Sequence, residues 1–97
     1  MSTALTTSTA ARPDGAVVLV VVGEIDQSNV GQFRDALAGA LTGARVTVDL
    51  NGVTYLDSAG IAVLADHAAR LRIATPPLLL PVIEISGLAE LATVEVT

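Results

Sequence analysis

The sequence predicts an α/β fold with a mixed central β-sheet and crossover helices, and three observations support this. Two runs of β-type residues, 16–22 and 45–50, are each followed by a segment whose apolar residues recur at helical spacing. A strand–helix–strand–helix order favours a sheet with crossover connections. A turn sequence ahead of the first run joins it to a Thr-rich segment, which predicts an additional hairpin strand.

The N-terminal hairpin is predicted over residues 4–22. Ala4–Ala10 is Thr-rich and fits an edge strand, with a disordered tail as the alternative, and residues 1–3 should fray. Residues 12–15, Arg-Pro-Asp-Gly, favour a turn because Pro presets φ and Gly accepts a positive φ. Ala16–Val22 is continuously apolar and mostly β-branched, which predicts a strand covered on both faces.

The first helix is predicted over Asn29–Thr42, after the loop Gly23–Gln27. Ser28 can cap its start, and Gly43 can end it. Its apolar face consists of Val30, Phe33, Leu37 and Leu41.

The second strand, Arg45–Leu50, alternates apolar and polar residues, and Asn51-Gly52 signals a turn or a bulge. Tyr55 is expected to pack near a strand end. Ser58 or Asp57 then caps a second helix that runs to about Ala69. Its predicted buried stripe is Ile61, Leu64, Ala65 and Ala68.

The C-terminal third allows two interpretations. In one, Leu71–Ala74 is a strand and a third helix begins near Pro81 and ends in residues 85–88, Ile-Ser-Gly-Leu. In the other, Leu78–Ile83 is the strand. Pro81 favours the first interpretation, since proline fits a helix start but not a central strand. Thr93–Val96 is the predicted last strand.

Composition excludes several classes of function. The chain has 97 residues, ten acidic and five basic residues and a net charge of −5, which argues against nucleic acid or an anionic membrane surface as a partner. It has no cysteine, which excludes disulfides and thiolate chemistry. No basic-then-apolar leader is evident, so a cytoplasmic protein is expected, with no cofactor.

The segment around Ser58 carries the strongest functional signal. A β-type run ends at Asp57-Ser58, and a helical pattern begins directly after it. Ser58 therefore lies at a helix N-terminus, where free backbone N–H groups tolerate a phosphate. From the residues alone, an ordinary N-cap is favoured over a modification site as the role of this serine, because serine is common at N-caps. Metal binding by Asp57 would need companions such as Asp26 and Asp49, and is disfavoured.

Three blocks resemble STAS domains of the anti-sigma-factor-antagonist type. They are residues 23–26 (Gly-Glu-Ile-Asp), 48–53 (Val-Asp-Leu-Asn-Gly-Val) and 56–61 (Leu-Asp-Ser-Ala-Gly-Ile), and residues 85–88 resemble the C-terminal signature of the family. The resemblance implies one STAS domain over residues 1–97, with a mixed sheet of four to five strands and helices mainly on one face. The family places more residues after the second helix, so 69–75 is expected to be shortened.

The resemblance also implies a function. The chain would be a non-enzymatic antagonist, a monomer or weak dimer, that binds a serine-kinase anti-sigma factor and releases a sigma factor. Phosphorylation of Ser58 would switch it off, and a serine phosphatase would reset it. The partner-binding residues implied are Asp26, Gln27, Ser28, Asn29, Asp57, Ser58, Ala59 and Gly60.

Two alternatives remain open at this stage. The first is a non-phosphorylated STAS subunit that binds the ATPase of a phospholipid-trafficking ABC transporter. The second is a small hydrolase using Ser58, which is disfavoured because the single histidine, His67, lies more than two helical turns away.

Overall fold

The computed structural model describes residues 4–42 and 45–97. Within them, five strands form one sheet in the order β1-β2-β3-β4-β5. β1 pairs antiparallel with β2, and the other neighbouring strands pair in parallel, so the predicted α/β fold with a mixed sheet is confirmed. In chain order, the elements are β1 (Thr6–Ala11), β2 (Val17–Ile25), α1 (Val30–Ala40), β3 (Val46–Leu56), α2 (Ser58–Asp66), a 3₁₀ turn (Ala68–Arg70), β4 (Leu71–Thr75), α3 (Leu80–Ile85), α4 (Leu88–Leu91) and β5 (Thr93–Val96).

The N-terminal segment is an edge strand rather than a disordered tail. β1 pairs with β2 from Thr6 opposite Val22 to Ala11 opposite Val17. The turn between them is closed by a hydrogen bond from the Arg12 N–H to the Ala16 carbonyl, at 2.8 Å. Gly15 adopts a φ of 88°, as the turn prediction required. The predicted fraying of residues 1–3 lies outside the described residues.

The sheet is covered on one face, which corrects the prediction that the first long strand would be buried on both. Leu19 and Val21 of β2 are fully buried in the same core as Leu37 and Leu64 of the helices. Val22 points to the opposite face and is 44% exposed. An unbroken apolar run therefore did not mean two-sided burial, because the crossovers among the described residues place their helices on a single face.

α1 begins one residue later than predicted and without a side-chain cap. Its N-cap residue is Asn29, and the prediction that Ser28 caps it is wrong. The hydroxyl of Ser28 donates instead to the Asp26 carboxylate, and the Asn29 side chain bonds Asp26 and Glu24. The helix ends at Ala40, and the predicted stop at Gly43 lies outside the described residues.

β3 is longer than predicted because Asn51-Gly52 is a bulge and not a turn. Asp49 pairs with Val20, whereas Gly52 pairs with Val22, so the register shifts between them. The Asp49 carboxylate accepts hydrogen bonds from the backbone and side-chain nitrogens of Asn51, at 2.9 and 2.8 Å. The strand then continues to Leu56, which carries the chain to the edge of the sheet.

α2 is shorter than predicted and is rotated about its axis. It ends at Asp66, and the 3₁₀ turn Ala68–Arg70 leads directly into β4. Val63, Leu64 and Ala68 are buried, whereas Ala65 is exposed and Ile61 is half-buried, so the predicted stripe is wrong at Ala65. 

The rotation of α2 follows from close packing at Gly60. A Cβ on Gly60 would lie 2.6 Å from Leu56 Cδ1 and 2.8 Å from Ile25 Cγ2. Only a glycine allows the helix to approach these side chains so closely. This contact turns the Gly60 side of α2 toward the sheet and explains why Val63 is buried.

The C-terminal third follows the first of the two interpretations. Leu71–Thr75 is a strand, Pro81 is near the start of α3, and the alternative strand over residues 78–83 is wrong. Gly87 has a φ of 83° and separates α3 from α4. β5 covers Thr93–Val96 as predicted.

Candidate functional site

Two loops meet at the carboxyl edge of the sheet, where the neighbouring parallel strands β2 and β3 end. Asp26 follows β2 and Asp57 follows β3. The Asp57 N–H donates to the Ile25 carbonyl at 3.2 Å, and the Gln27 N–H donates to Asp57 Oδ2 at 3.2 Å. These two bonds run in opposite directions between the loops and hold them side by side.

Asp57 is the N-cap of α2. Its Oδ1 accepts hydrogen bonds from the N–H groups of Ala59 and Gly60, at 2.9 and 3.2 Å. Its backbone is extended, with φ −96° and ψ −175°, as an N-cap requires. The negative charge of Asp57 also lies at the positive end of the helix dipole. The capping role that the sequence divided between Asp57 and Ser58 therefore belongs to Asp57.

Ser58 is the first residue of α2 and is exposed. Among the described residues, its hydroxyl has no hydrogen-bond partner, because Asp57 performs the capping. The sequence alone favoured an ordinary N-cap as the role of this serine. The structure contradicts that role, because the N-cap is Asp57. Ser58 therefore presents an accessible hydroxyl at the N-terminus of α2.

The Asp26 loop is held together by its own side chains. The Asp26 carboxylate accepts hydrogen bonds from the hydroxyl and the backbone N–H of Ser28, the latter at 2.8 Å. Asn29 Oδ1 accepts from the Asp26 N–H at 3.0 Å, and its Nδ2 donates to the Glu24 carbonyl at 2.8 Å. The two Ser28 donors lower the pKa of Asp26, which remains an anion well below neutral pH.

The eight predicted site residues share this edge but differ in exposure. The three exposed residues are Gln27, Ser28 and Ser58. The four half-buried residues are Asp26, Asn29, Asp57 and Ala59, and the one buried residue is Gly60. Gly60 lies beneath the surface, where its N–H is bonded to Asp57. Their contact with a partner stays a prediction.

Tyr55 is a surface residue that the sequence analysis placed wrongly. It was expected to pack near the strand end, but it is 51% exposed and lies opposite Glu24 in the β2–β3 pairing. Simple alternation along β3 would place Tyr55 on the buried face with Val53, but the register shifts between Gly23 and Glu24, and both Thr54 and Tyr55 are exposed. Because this shift depends on pairing with β2, the local sequence carried no signal for the exposure of Tyr55.

Metal binding and serine hydrolysis receive no support from this geometry. Within residues 4–42 and 45–97, no group of three His, Asp or Glu side chains is placed to hold a metal ion. Ser58 and His67 lie at opposite ends of α2, roughly 13 Å apart along its axis. That separation is far beyond the reach of a general base.

No helix in the described parts of the chain combines the length and the apolar character needed to cross a membrane.

Comparison with known proteins identifies the family. The family model described as Mlab, STAS domain matches residues 8–94. The chain belongs to this STAS family. The STAS resemblance inferred from residues 23–26, 48–53 and 56–61 is thereby confirmed. No curated protein sequence matches the chain significantly.

Solved structures with this STAS fold include anti-sigma factor antagonists. The crystal structure of an anti-sigma factor antagonist from Mycobacterium paratuberculosis is 23% identical, with a TM-score of 0.84 over 94% of this chain and 85% of the other. SpoIIAA, an anti-sigma factor antagonist, is 20% identical in its unphosphorylated form, with a TM-score of 0.72 over 93% and 88%. The phosphorylated form of SpoIIAA from Bacillus is 19% identical, with a TM-score of 0.57 over 93% and 91%. At these identities, the matches establish the common fold.

Proposed function

We propose that this STAS domain is an anti-sigma-factor antagonist. It binds a serine-kinase anti-sigma factor through the joined loops at the carboxyl edge of the sheet and thereby releases a sigma factor. Phosphorylation of Ser58 by that kinase switches it off, and a serine phosphatase resets it. The observation that carries the proposal is the exposed hydroxyl of Ser58, left free because Asp57 caps α2.

Phosphorylation at Ser58 suits a switch because it leaves the fold almost undisturbed. The hydroxyl lies outside the core, at the positive end of α2, where a phosphate gains favourable interaction with the helix dipole. Asp57, already bonded to the first free N–H groups of α2, opposes this gain with its own negative charge. The net effect on the free energy of unfolding should be below about 1 kcal/mol.

The same phosphate has a much larger effect on a bound partner. It adds about −1.5 to −2 charges beside Asp57, across the joined loops from Asp26. A partner that fits the unmodified surface must then desolvate this charge or lose contact around Ser58. Charges introduced at the centre of an interface commonly cost about 2 kcal/mol or more.

Two substitutions at Ser58 test this function. Ser58→Asp, an imperfect mimic with one charge, should weaken kinase binding at least about tenfold and leave the melting temperature nearly unchanged. Ser58→Ala should bind the kinase and resist phosphorylation in the presence of ATP. Affinity purification from the source cell with the two variants as baits identifies the kinase, and calorimetry then measures the affinities.

A matched control distinguishes the effect of a charge at position 58 from the effect of a charge added elsewhere on the surface. Ser8→Asp adds the same charge at an exposed serine on β1, away from the joined loops, and should leave kinase binding unchanged. Equal binding by Ser58→Ala and Ser58→Asp would refute the switch. So would a phosphate found by mass spectrometry on another residue after incubation with the kinase and ATP.

A second candidate function keeps the fold and the surface but removes the modification. The matching family is described as a STAS domain, without mention of sigma-factor regulation. In this alternative, the chain is a docking subunit that binds the ATPase of a phospholipid-trafficking ABC transporter through the loop of Ser58. It predicts that the baits carrying Ala and Asp at position 58 both recover the ATPase.

A further inference from the structure

A polar pocket opens at the amino edge of the sheet, at the far end of the strands from Ser58. Its volume is about 220 Å³. It lies between the β1–β2 turn, the start of β3 and the start of β4, and its lining residues are Arg12, Asp14, Ala16, Arg45, Thr47 and Arg72. β3 alone separates the two edges by roughly 30 Å, so the pocket is independent of the Ser58 surface.

The sheet brings the three arginines together from distant parts of the chain. Thr47 pairs with Arg72 across β3 and β4, and Val17 pairs with Val46 across β2 and β3. The second pairing places the β1–β2 turn beside Arg45. Three of the five basic residues of a chain with net charge −5 thus line one pocket.

The positive charge of this pocket is only partly neutralised. Arg72 donates to Glu95 at 2.7 Å, an ion pair with half-exposed side chains. Asp14 is the one acidic residue in the lining, and its Oδ1 accepts the Ala16 N–H of the turn at 3.0 Å. Arg12 and Arg45 form no ion pair with any carboxylate in residues 4–42 and 45–97. Two of the three arginines that line the pocket therefore take part in no ion pair among the described residues.

This lining matches the chemistry of a phosphate group. Guanidinium forks donate paired, charge-assisted hydrogen bonds to phosphate oxygens, and the Thr47 hydroxyl adds a neutral donor. The volume is below the roughly 300–1,000 Å³ of sites that enclose a drug-sized ligand. The pocket therefore fits one charged group rather than a whole ligand.

We propose that the pocket formed by Arg12, Arg45, Thr47 and Arg72 binds the phosphate or pyrophosphate group of a small phosphorylated molecule. The ligand binds at the amino edge while the carboxyl edge stays free. Phospho-Ser58 of the same chain lies too far away to occupy it.

The test is a titration followed by ¹H–¹⁵N NMR of the whole chain, with inorganic phosphate and with pyrophosphate as the probes. Sodium chloride holds the ionic strength constant, because screening alone also moves amide signals. The expected result is saturable shifts at Ala16, Thr47 and Arg72, with a Kd of about 1 mM or tighter. Succinate, a dicarboxylate, is titrated in parallel and should bind at least about tenfold more weakly.

Single-charge variants locate the site. Arg12→Gln and Arg45→Gln should each weaken binding of pyrophosphate about tenfold, since each removes charge-assisted hydrogen bonds without breaking the Arg72–Glu95 pair. Arg34→Gln removes the same charge from an exposed position on α1 and should not change the affinity. 

Three outcomes would overturn the proposal. The first is a linear, non-saturating response equal to that of chloride. The second is an Arg34→Gln variant that weakens binding as much as Arg45→Gln. The third is succinate binding as tightly as phosphate, which would assign the pocket to carboxylates.

Discussion

The chain contains two consecutive strand–aspartate–helix units that use the aspartate differently. In the first, the four residues Asp26–Asn29 separate β2 from α1, and α1 starts without a side-chain cap. In the second, Asp57 alone separates β3 from α2 and caps that helix with two hydrogen bonds. The two units lie side by side, and the Gln27 N–H joins them through Asp57 Oδ2.

This difference shows that connection length decides the role of the aspartate. After a one-residue connection, the carboxylate of Asp57 is at the N-cap, within reach of the free N–H groups of the helix. After a four-residue connection, Asp26 is too far from the helix start and organises its own loop through Ser28. Asp57 thus holds both units together, whereas Asp26 stabilises one loop.

The largest expected loss of stability comes from a feature that the two units share: each helix has a buried leucine. Leu37 of α1 and Leu64 of α2 are both fully buried. Replacing either with Ala should lower the free energy of unfolding by about 2 to 4 kcal/mol, because each change leaves a cavity in a core that has a single phenylalanine. Urea titration measures this. Ile85→Ala, at a residue 90% exposed, is the control and should cost below about 0.5 kcal/mol. A loss that small for Leu64→Ala would show that α2 does not pack through this face.

The next largest expected effect is a difference in stability between variants of the two aspartates, Asp57 and Asp26. Asp57→Ala should destabilise the chain by about 1 to 2 kcal/mol, because it removes the N-cap of α2 and the bond to Gln27. Asp26→Ala should cost less, since its partners belong to one exposed loop. Asp57→Asn keeps an oxygen acceptor and should recover most of the loss in urea titrations. If Asp26→Ala proved the more harmful variant, the assignment of roles would be reversed.

A smaller change in stability tests the role of Gly60, where α2 packs closely against Leu56 and Ile25, whereas Gly39 of α1 makes no such contact. Gly60→Ala should destabilise by about 1 kcal/mol, because overpacking against Leu56 and Ile25 outweighs the gain in helix propensity. Gly39→Ala in α1 is the matched control: a Cβ there meets nothing within 4 Å, so the variant should gain up to about 1 kcal/mol. Thermal unfolding of both variants compares them, and stabilisation by both would show that the contact at Gly60 is easily relaxed.

The smallest effect is the pH response of the Asp26 loop. The Ser28 hydroxyl and N–H lower the pKa of Asp26 from 3.8, so its contribution to stability is present above that value and is lost as the pH falls through the lower, folded-state value. NMR titration of the carboxyl carbon should show this shift. Ser28→Ala should bring the pKa of Asp26 back toward 3.8, and an unchanged pKa would remove Ser28 as its cause.

Much of this architecture was predictable because its causes are local in the chain. The turn at residues 12–15, the last strand at Thr93–Val96 and the helix start at Asp57 each follow from a few neighbouring residues. The bulge at Asn51-Gly52 and the β-type run that ends at Asp57 were also signalled, although the joining of 45–50 and 53–56 into one strand was not. The continuity of this strand depends on pairing with β2, a segment about thirty residues earlier.

Signals local to the chain were enough to predict the α/β class, the order of most elements, the STAS resemblance and the position of Ser58 at a helix start. The folded chain was needed to show which face of the sheet is covered, how α2 is rotated, that Asp57 rather than Ser58 is the cap, and that three separated arginines line one pocket. The difference follows from how far apart in the chain the interacting residues lie. Turn, cap and strand signals depend on neighbours along the chain, whereas burial, helix rotation and pocket lining depend on segments that meet only after the sheet has formed.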